Sequence, residues 1–301
     1  MASLKNFLPA AKTSHIHCIF RTIHQPMKRR TFLELGAKTI AIIGVGNTLQ
    51  SFAGEDATLP PRRKVKFRFA LVSDGHFGQA NTPYQQLHDE MIQWLNADHR
   101  QRKLDCCFVN GDLYHDKAEW LQPAKQQWDK LAMPYYVSHG NHDHGSEANW
   151  QEAFGVSWHY SFTKGDCGFV VLNTADEKGT YICPDLEKAR ALLAQRKDSK
   201  HLFVIMHIAP MKWTKYGISC PELTELFAKQ QNLRAVFHGH DHDEDSMKTD
   251  NGKHYFWDAH AGGNWGTEYR GYRIVEVLKD GTIITYQMNP ATGKQVNHHS
   301  I

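Results

Sequence analysis

The sequence predicts an α/β fold, a pair of mixed β-sheets flanked by helices. Three observations lead there. Apolar runs of strand length alternate with helical patterns from residue 65 to residue 238. The last third changes character, to hairpin-like strands joined by turns such as Lys279-Asp280-Gly281. Short motifs rich in Asp, His and Gly follow the apolar runs, at strand ends that can present side chains to one site.

The chain begins with segments outside that fold. Residues 1–26 show no period and hold three scattered histidines, His15, His17 and His24; they are read as an extension ahead of Met27 or as an over-long start. Residues 27–53 have the order of an export signal. A basic patch, Lys28-Arg29-Arg30, precedes a moderately apolar run over 33–45, and Ser51 and Ala53 suit positions −3 and −1 of a cleavage site. The run is far shorter than the ~20 residues that span a bilayer, and Lys38 interrupts it. An amphipathic core helix is the other reading of this stretch. Arg29-Arg30-Thr31-Phe32-Leu33 resembles the twin-arginine export signal, an address read by a receptor. That resemblance implies the twin-arginine export machinery as a partner, no stable membrane span, and a periplasmic or other extracytoplasmic location.

Residues 54–63, with Pro60-Pro61, read as a linker. Residues 65–73 are apolar enough for a buried strand, and Leu87, Met91 and Leu95 share one face of a helix over 84–98. A strand over 104–110, a helix over 118–131 and a short strand over Tyr135–Ser138 follow. Strands at 159–163 and 169–173, a helix over 186–196, a strand over 202–207, a helix over 222–230 and a strand over 235–238 continue the alternation. Residues 254–258, Tyr272–Leu278 and 283–288 are the hairpin strands. One catalytic domain over 64–290 accounts for these elements. Residues 291–301, with His298-His299, are expected to be a tail without order.

Composition narrows the function. Hydrophobic residues at 41% and charged residues at 22% describe a soluble globular protein with ample material for a core. The net charge of +3 misleads, because residues 1–53 hold seven Lys/Arg against one acid, Glu34; their +6 leaves the body at −3. Such a body lacks the cations that displace counterions from long nucleic acids, so no long nucleic acid is expected as a partner. Cys18 lies in the leader. The five other cysteines, Cys106, Cys107, Cys167, Cys183 and Cys220, have no CxxC spacing and form neither a disulfide framework nor a zinc knuckle. Cys106 and Cys107 read as core-facing, and one bridge among the other three is open.

Twenty histidines are the unusual count, and many sit in five motifs that each follow an apolar run. These are Asp74-Gly75-His76, Gly111-Asp112, Gly140-Asn141-His142-Asp143, His207 and Gly239-His240-Asp241-His242. Glycines 111, 140 and 239 are expected to permit tight turns that bring the loops together. Singly each motif is weak, since a lone His-x-His is more often a surface pair than a ligand. As an ordered set they converge on one chemistry. Mixed nitrogen and oxygen donors suit Fe, Mn or Zn rather than Ca or Mg. A shared carboxylate can hold two cations about 3.5–4 Å apart, where an acidified water attacks phosphorus as hydroxide and charge on the phosphoryl oxygens is stabilised.

The ordered motifs resemble those of the calcineurin-like metallophosphoesterase family, over Asp74 to His242. The resemblance implies a four-layer α/β/β/α sandwich and two divalent or trivalent transition-metal ions. Asp74, His76, Asp112 and His242 would hold one ion; Asp112, as a bridge, with Asn141, His207 and His240 would hold the other. It further implies that His142 contacts the phosphate and assists the leaving group, and Asp143 is expected to orient the His142 ring. His115 and Asp116 read either as supports of the ligands or as solvated loop. Trp213, Tyr216, Asn264 and Trp265 are candidates for the wall of a substrate pocket, with ordinary packing the bland alternative. The expected function is hydrolysis of a small phosphodiester or phosphomonoester. The alternative from another class is a non-catalytic binding protein or scaffold on the same fold, whose mark would be a lost ligand or a lost His142.

Overall fold

The computed structural model describes residues 64–301. The expected leader, export signal and linker lie outside the described residues. Strands β1 (Val65–Val72), β2 (Cys106–Asn110) and β3 (Tyr135–Ser138) run parallel, joined by α1 (Tyr84–Arg102) and α2 (Leu121–Trp128). Strands β10 (Tyr272–Leu278), β11 (Ile283–Asn289) and β12 (Lys294–Ser300) add antiparallel on the far side of β1, giving the order β12-β11-β10-β1-β2-β3.

The second sheet has the order β4-β5-β6-β7-β9-β8. Its strands are β4 (Tyr160–Lys164), β5 (Cys167–Leu172), β6 (His201–Met206), β7 (Leu233–His238), β8 (Met247–Asp250) and β9 (Lys253–Trp257). β5, β6, β7 and β9 are parallel, and the edges β4 and β8 are antiparallel. Helix α4 (Leu186–Gln195) follows β5 and α5 (Pro221–Ala228) follows β6; α3 (Glu147–Phe154) precedes β4.

Alternation along the strands sorts the core into layers. On β1, Phe67, Phe69 and Leu71 face the second sheet, while Ala70 and Val72 face the helices. Between the sheets Phe69, Phe108, Phe169, Phe203 and Phe237 are fully buried, with neighbouring ring centroids 5.0–6.2 Å apart. At ~1.5–3 kcal/mol per buried side chain these five rings contribute on the order of 10 kcal/mol. Outside, Met91 and Leu95 of α1 and Trp128 of α2 cover the first sheet, and Leu193 of α4 and Phe227 of α5 cover the second. The result is an α/β/β/α sandwich of two mixed sheets.

A buried polar bridge also joins the sheets near the strand ends. Arg273 of β10 donates to the Asp258 carboxylate at 3.2 Å and to Trp257 O at 2.7 Å, and both partners belong to the segment that follows and ends β9. Gln287 of β11 donates to the same carbonyl at 3.0 Å.

Several elements differ from expectation. The second helix opens with a 3-10 turn, Ala118–Trp120, and ends at Trp128. β9 lies parallel to β7 rather than in the C-terminal hairpin set. Residues 294–300 are strand β12, not a loose tail: His299 pairs with Thr285 across the ladder. Helix α3 and the short edge strand β8 were not anticipated. Among the described residues no helix is long and apolar enough to cross a membrane.

Candidate metal centre

The motifs sit where parallel strands of both sheets end. Asp74 and His76 follow β1, Asp112 follows β2, Asn141 and His142 follow β3, His207 follows β6, and His240 and His242 follow β7. Open α/β sheets place ligands in this position. The loops turn sharply, with Asp74, His76, Asp112 and His240 in the left-handed region at φ 58°, 49°, 53° and 69°. Such backbone costs about 1–3 kcal/mol per residue and persists only when its surroundings hold it. Here the loops hold one another: Asp74 N donates to Gly111 O at 3.1 Å and His76 N to Asp112 O at 2.9 Å.

Of the three motif glycines only Gly111 has positive φ, 81°. Gly140 is needed for space, because a Cβ there would strike the backbone nitrogen and carboxylate of Asp112.

Three groups of donors converge, two of them fully buried, and the third, His76, His115 and His142, beside them at the cavity. Asp74, His76 and His242 form one buried group, with His76 Nε2 and His242 Nε2 2.9 Å apart and Asp74 Oδ1 3.2 Å from His242 Nε2. Asp112, His207 and His240 form the other, with Asp112 Oδ2 3.2 Å from His207 Nε2. Asp112 Oδ2 also lies 3.6 Å from His76 Nε2, so this carboxylate faces both buried groups. The donors are aimed by contacts on their far sides. His207 Nδ1 donates to Asn110 O at 2.7 Å, His242 Nδ1 donates to Trp265 O at 3.1 Å, and Asp112 Oδ1 accepts from His142 N at 2.8 Å.

These residues fit a cation. His207 Nε2, His240 Nε2 and Asn141 Oδ1 are buried without a hydrogen-bond partner, a cost of about 1–3 kcal/mol each unless a ligand satisfies them. His207 Nε2, though close to Asp112, lacks the alignment of a hydrogen bond. Electrostatics agree. Burial acts to lower the pKa of His207, yet Asp112 and Asp74 raise it to about 10. Burial opposes ionisation of Asp74, yet His242 and His207 hold its carboxyl below the usual range. Burial and His207 push His240 down to about 3, leaving a neutral imidazole able to donate a lone pair. The two carboxylates thus demand positive charge, and the neutral rings beside them offer lone pairs.

Above the donors opens a cavity of about 250 Å³. His142 and His115 line one side, stacked with centroids 4.6 Å apart; Tyr181, Tyr216 and Trp265 line the other. His142 Nδ1 donates to Asp116 Oδ1 at 2.6 Å, so the ring nitrogen left for the cavity is Nε2. His115 Nδ1 lies 3.0 Å from His76 Nδ1, and its Nε2 is 3.5 Å from Asp116 Oδ2. One carboxylate therefore steadies the rings of both His142 and His115.

The sequence model of the calcineurin-like phosphoesterases matches residues 67–244, more than half of the chain. The chain belongs to this family. A curated relative, the uncharacterized protein YvnB of Bacillus subtilis (strain 168), is 28% identical over 102 residues, 32% of this chain and 8% of that protein. The chain thus spans less than a tenth of this relative's length. Among solved structures, purple acid phosphatase PPD1 of yellow lupin (Lupinus luteus) matches with TM-score 0.60 and 15% identity, covering 78% of this chain and 53% of that one. A dimetal phosphatase from Danio rerio matches with TM-score 0.60 and 13% identity, covering 79% and 99%. GAP50, the anchor in the inner membrane complex of Plasmodium, matches with TM-score 0.58 and 15% identity, covering 79% and 89%. At these identities the structural matches speak for the fold.

In this calcineurin-like phosphoesterase the structure brings Asp74, His76, Asp112, His207, His240 and His242 together, and Asn141 stands on the loop after β3 with its Oδ1 buried and unpartnered. Asp143 is a correction. Its carboxylate is buried and accepts from Tyr114 N at 3.0 Å and Gly140 N at 2.9 Å, so it closes the turn and Asp116 takes the His142 ring. Trp213 is a second correction: it packs edge-on against Tyr255 and Trp257, behind the site. Tyr216 and Trp265 do line the cavity, and Asn264 stands at its rim, 3.5 Å from Gln79 Nε2. Sequence reasoning missed Tyr181 and Gln79, which carry no motif. A bridge joins Cys183 and Cys220, resolving the pairing left open; Cys106, Cys107 and Cys167 are free and buried.

Proposed function

We propose that this phosphoesterase binds two transition-metal ions, Fe, Mn or Zn, and hydrolyses a small phosphodiester or phosphomonoester outside the cytoplasm. The observation that carries the proposal is the convergence of two buried, unpartnered donors, His207 Nε2 and His240 Nε2, on a carboxylate, Asp112, that also faces His76. Asp74, His76, Asp112 and His242 would hold one ion and Asp112, Asn141, His207 and His240 the other. When bound, the ions supply positive charge to the phosphoryl oxygens and acidify a water.

The chain's own residues do the rest. His142 presents Nε2 to the cavity and, as an imidazolium, gives that proton to the departing oxygen. Asp116 keeps the other ring proton on Nδ1 and fixes the orientation of the ring. Tyr181, Tyr216 and Trp265 exclude water from the side opposite His142. A cavity of about 250 Å³ suits a small substrate, and the acidic body disfavours polymeric nucleic acid.

Export through the twin-arginine route completes the proposal. Arg29-Arg30 before an apolar run supports it, and a bridge between Cys183 and Cys220 suits an oxidising compartment. A mature N-terminus found by mass spectrometry upstream of residue 27 would overturn the leader assignment.

The deciding assay strips the protein of metal, reloads Mn, Fe or Zn, and compares bis-p-nitrophenyl phosphate with p-nitrophenyl phosphate. Activity restored by metal and abolished by Asp112→Asn supports the reading, and the preferred ester assigns diesterase or phosphatase. Two bound ions without turnover of either ester would count against it.

A further inference from the structure

The cavity has two unlike walls. His142, His115 and Gln79 make a polar side; Tyr181, Tyr216 and Trp265 make an aromatic one. The aromatic rings are seated on metal-ligand candidates. Tyr181 and Tyr216 meet His240 edge-on, with centroids 4.9 and 5.8 Å away, and Trp265 lies flat on His242 at 4.3 Å. Tyr181 and Trp265 are exposed, while Lys215 Nζ lies over the Tyr216 ring, 5.0 Å from its centroid. Among the described residues the exposed large hydrophobics are Tyr181, Ile182 and Trp265, at 39%, 38% and 43%. Two of them line this cavity and the third is the neighbour of Tyr181. Apolar exposure gathered at one mouth marks a binding surface.

What holds this wall is unusual. Tyr181 stands on the loop between β5 and α4, Tyr216 on the loop between β6 and α5. β5 and β6 are parallel neighbours, so the two loops leave the sheet side by side. Each loop has its own backbone ties: Ile182 N to Thr174 O at 3.0 Å in one, Ile218 N to Ala209 O and Cys220 N to Pro210 O, both at 3.0 Å, in the other. The covalent tie between them is the Cys183–Cys220 bridge, with Cα atoms 5.7 Å apart. It falls two residues after Tyr181 and four after Tyr216. Cys220 is buried at the start of α5, so the bridge anchors the Tyr181 loop to a rigid element.

We propose that the Cys183–Cys220 bridge is a specificity-determining element of the site: it fixes Tyr181 and Tyr216 as one aromatic wall, so that the cavity selects phosphoesters bearing a planar aromatic group over aliphatic ones. The inference rests on the phosphoesterase reading and names what its cavity takes. A planar group beside the metal-bound phosphoryl would pack against rings already in place. Without the bridge each tyrosine keeps its local turn, but the loops must be ordered on binding, which weakens affinity for the planar group alone. Each well-placed ring contact corresponds to roughly three- to tenfold in affinity.

The test measures binding by calorimetry on the metal-loaded full chain, with phenylphosphonate and methylphosphonate as probes that cannot be hydrolysed. The bridged protein should bind the phenyl compound about tenfold or more tightly than the methyl one. In Cys183→Ala/Cys220→Ala the ratio should fall to about threefold or less, with methylphosphonate binding unchanged. Tyr181→Ala, which keeps the bridge and replaces an exposed side chain, should lower it likewise. Cleaving the bridge of the parent protein with a non-thiol reductant, tris(2-carboxyethyl)phosphine, removed before metal loading and the freed thiols blocked, gives the same comparison without substitution. A ratio near one in the parent, or one that is equal with and without the bridge while methylphosphonate still binds, overturns this inference alone. Binding of neither phosphonate by the metal-loaded parent would sink the phosphoesterase reading and this inference with it.

Discussion

His142 meets the cavity with one ring nitrogen because Asp116 occupies the other. The imidazole meets His76 edge-on, with centroids 4.9 Å apart, and stands outside the two fully buried donor groups. Its removal should therefore leave the metals bound. His142→Ala is expected to retain its metal by elemental analysis and to lose about 10²- to 10⁴-fold in kcat on esters with poor leaving groups, with a smaller loss on p-nitrophenyl esters. Metal loss in that variant would refute the role. Asp116→Asn should lower the same rate about tenfold, since the ring loses the charge that orients it. Gly140→Ala acts the other way: its Cβ collides with Asp112, so metal content should fall before any effect on leaving groups is seen. At this scale the donor positions were legible because each follows a strand in sequence. The partner of His142 was not. Asp143 is adjacent in the chain, but its carboxylate folds back on Gly140 N, and the true partner arrives 26 residues upstream from another loop. Tyr181 was invisible for the same reason, since only tertiary packing places it on His240.

The elements were legible where burial imposes a period. Tyr135–Ser138 and Tyr272–Leu278 were read with the bounds they have, and the interior strands β5, β6 and β7 within two residues at either end. β12 was missed because nothing in Lys294–Ser300 except Val296 favours burial, and its pairing with β11 rests on backbone hydrogen bonds that leave no mark on side-chain type. Helix α3 is short and is announced mainly by Ser146, whose hydroxyl accepts from Asn149 N at 3.2 Å. Neither could a period reveal how the sheets are joined. Arg273 on β10 reads as an ordinary polar interruption of an apolar strand, yet it is fully buried and paired with the fully buried Asp258 beyond β9. Removing one partner leaves the other charge without compensation. Arg273→Met should destabilise the protein by about 3–5 kcal/mol, read from urea unfolding, and Arg273→Met/Asp258→Asn should recover a substantial part. A single variant within 1 kcal/mol of the parent, as an order-of-magnitude bound, would mean that the pair is dispensable to the sheet–sheet interface.

Among the described residues, histidines of the metal centre and buried histidines elsewhere answer to acid for different reasons. Those of the metal centre answer to carboxylates and metal. Others are neutral because they are buried. Burial lowers His88 to about 4, and does the same for His139 and His159. In the unfolded chain such rings titrate near 6.5. Between about 6.5 and 4 the unfolded state therefore binds protons that the folded state refuses, and stability falls as the pH drops through that window. The loss levels off only near the folded value. At about 1.4 kcal/mol per pH unit, His88 alone accounts for about 3 kcal/mol, a large part of the 5–15 kcal/mol that typically holds a domain together. His88 is also well placed to report this cleanly. It is 2% exposed, its Nδ1 donates to Tyr84 O at 2.8 Å one turn back along α1, and its other nitrogen has no partner. Metal release at low pH would add a second acid limb, so the comparison belongs on metal-free protein, where that contribution is absent from parent and variant alike. Urea midpoints measured at pH 7 and pH 5 should fall more steeply with acid in the parent than in His88→Gln, whatever the variant loses at neutral pH. Parallel lines for the two proteins would mean that His88 is protonated as readily folded as unfolded, and that the acid sensitivity of this fold lies in other groups.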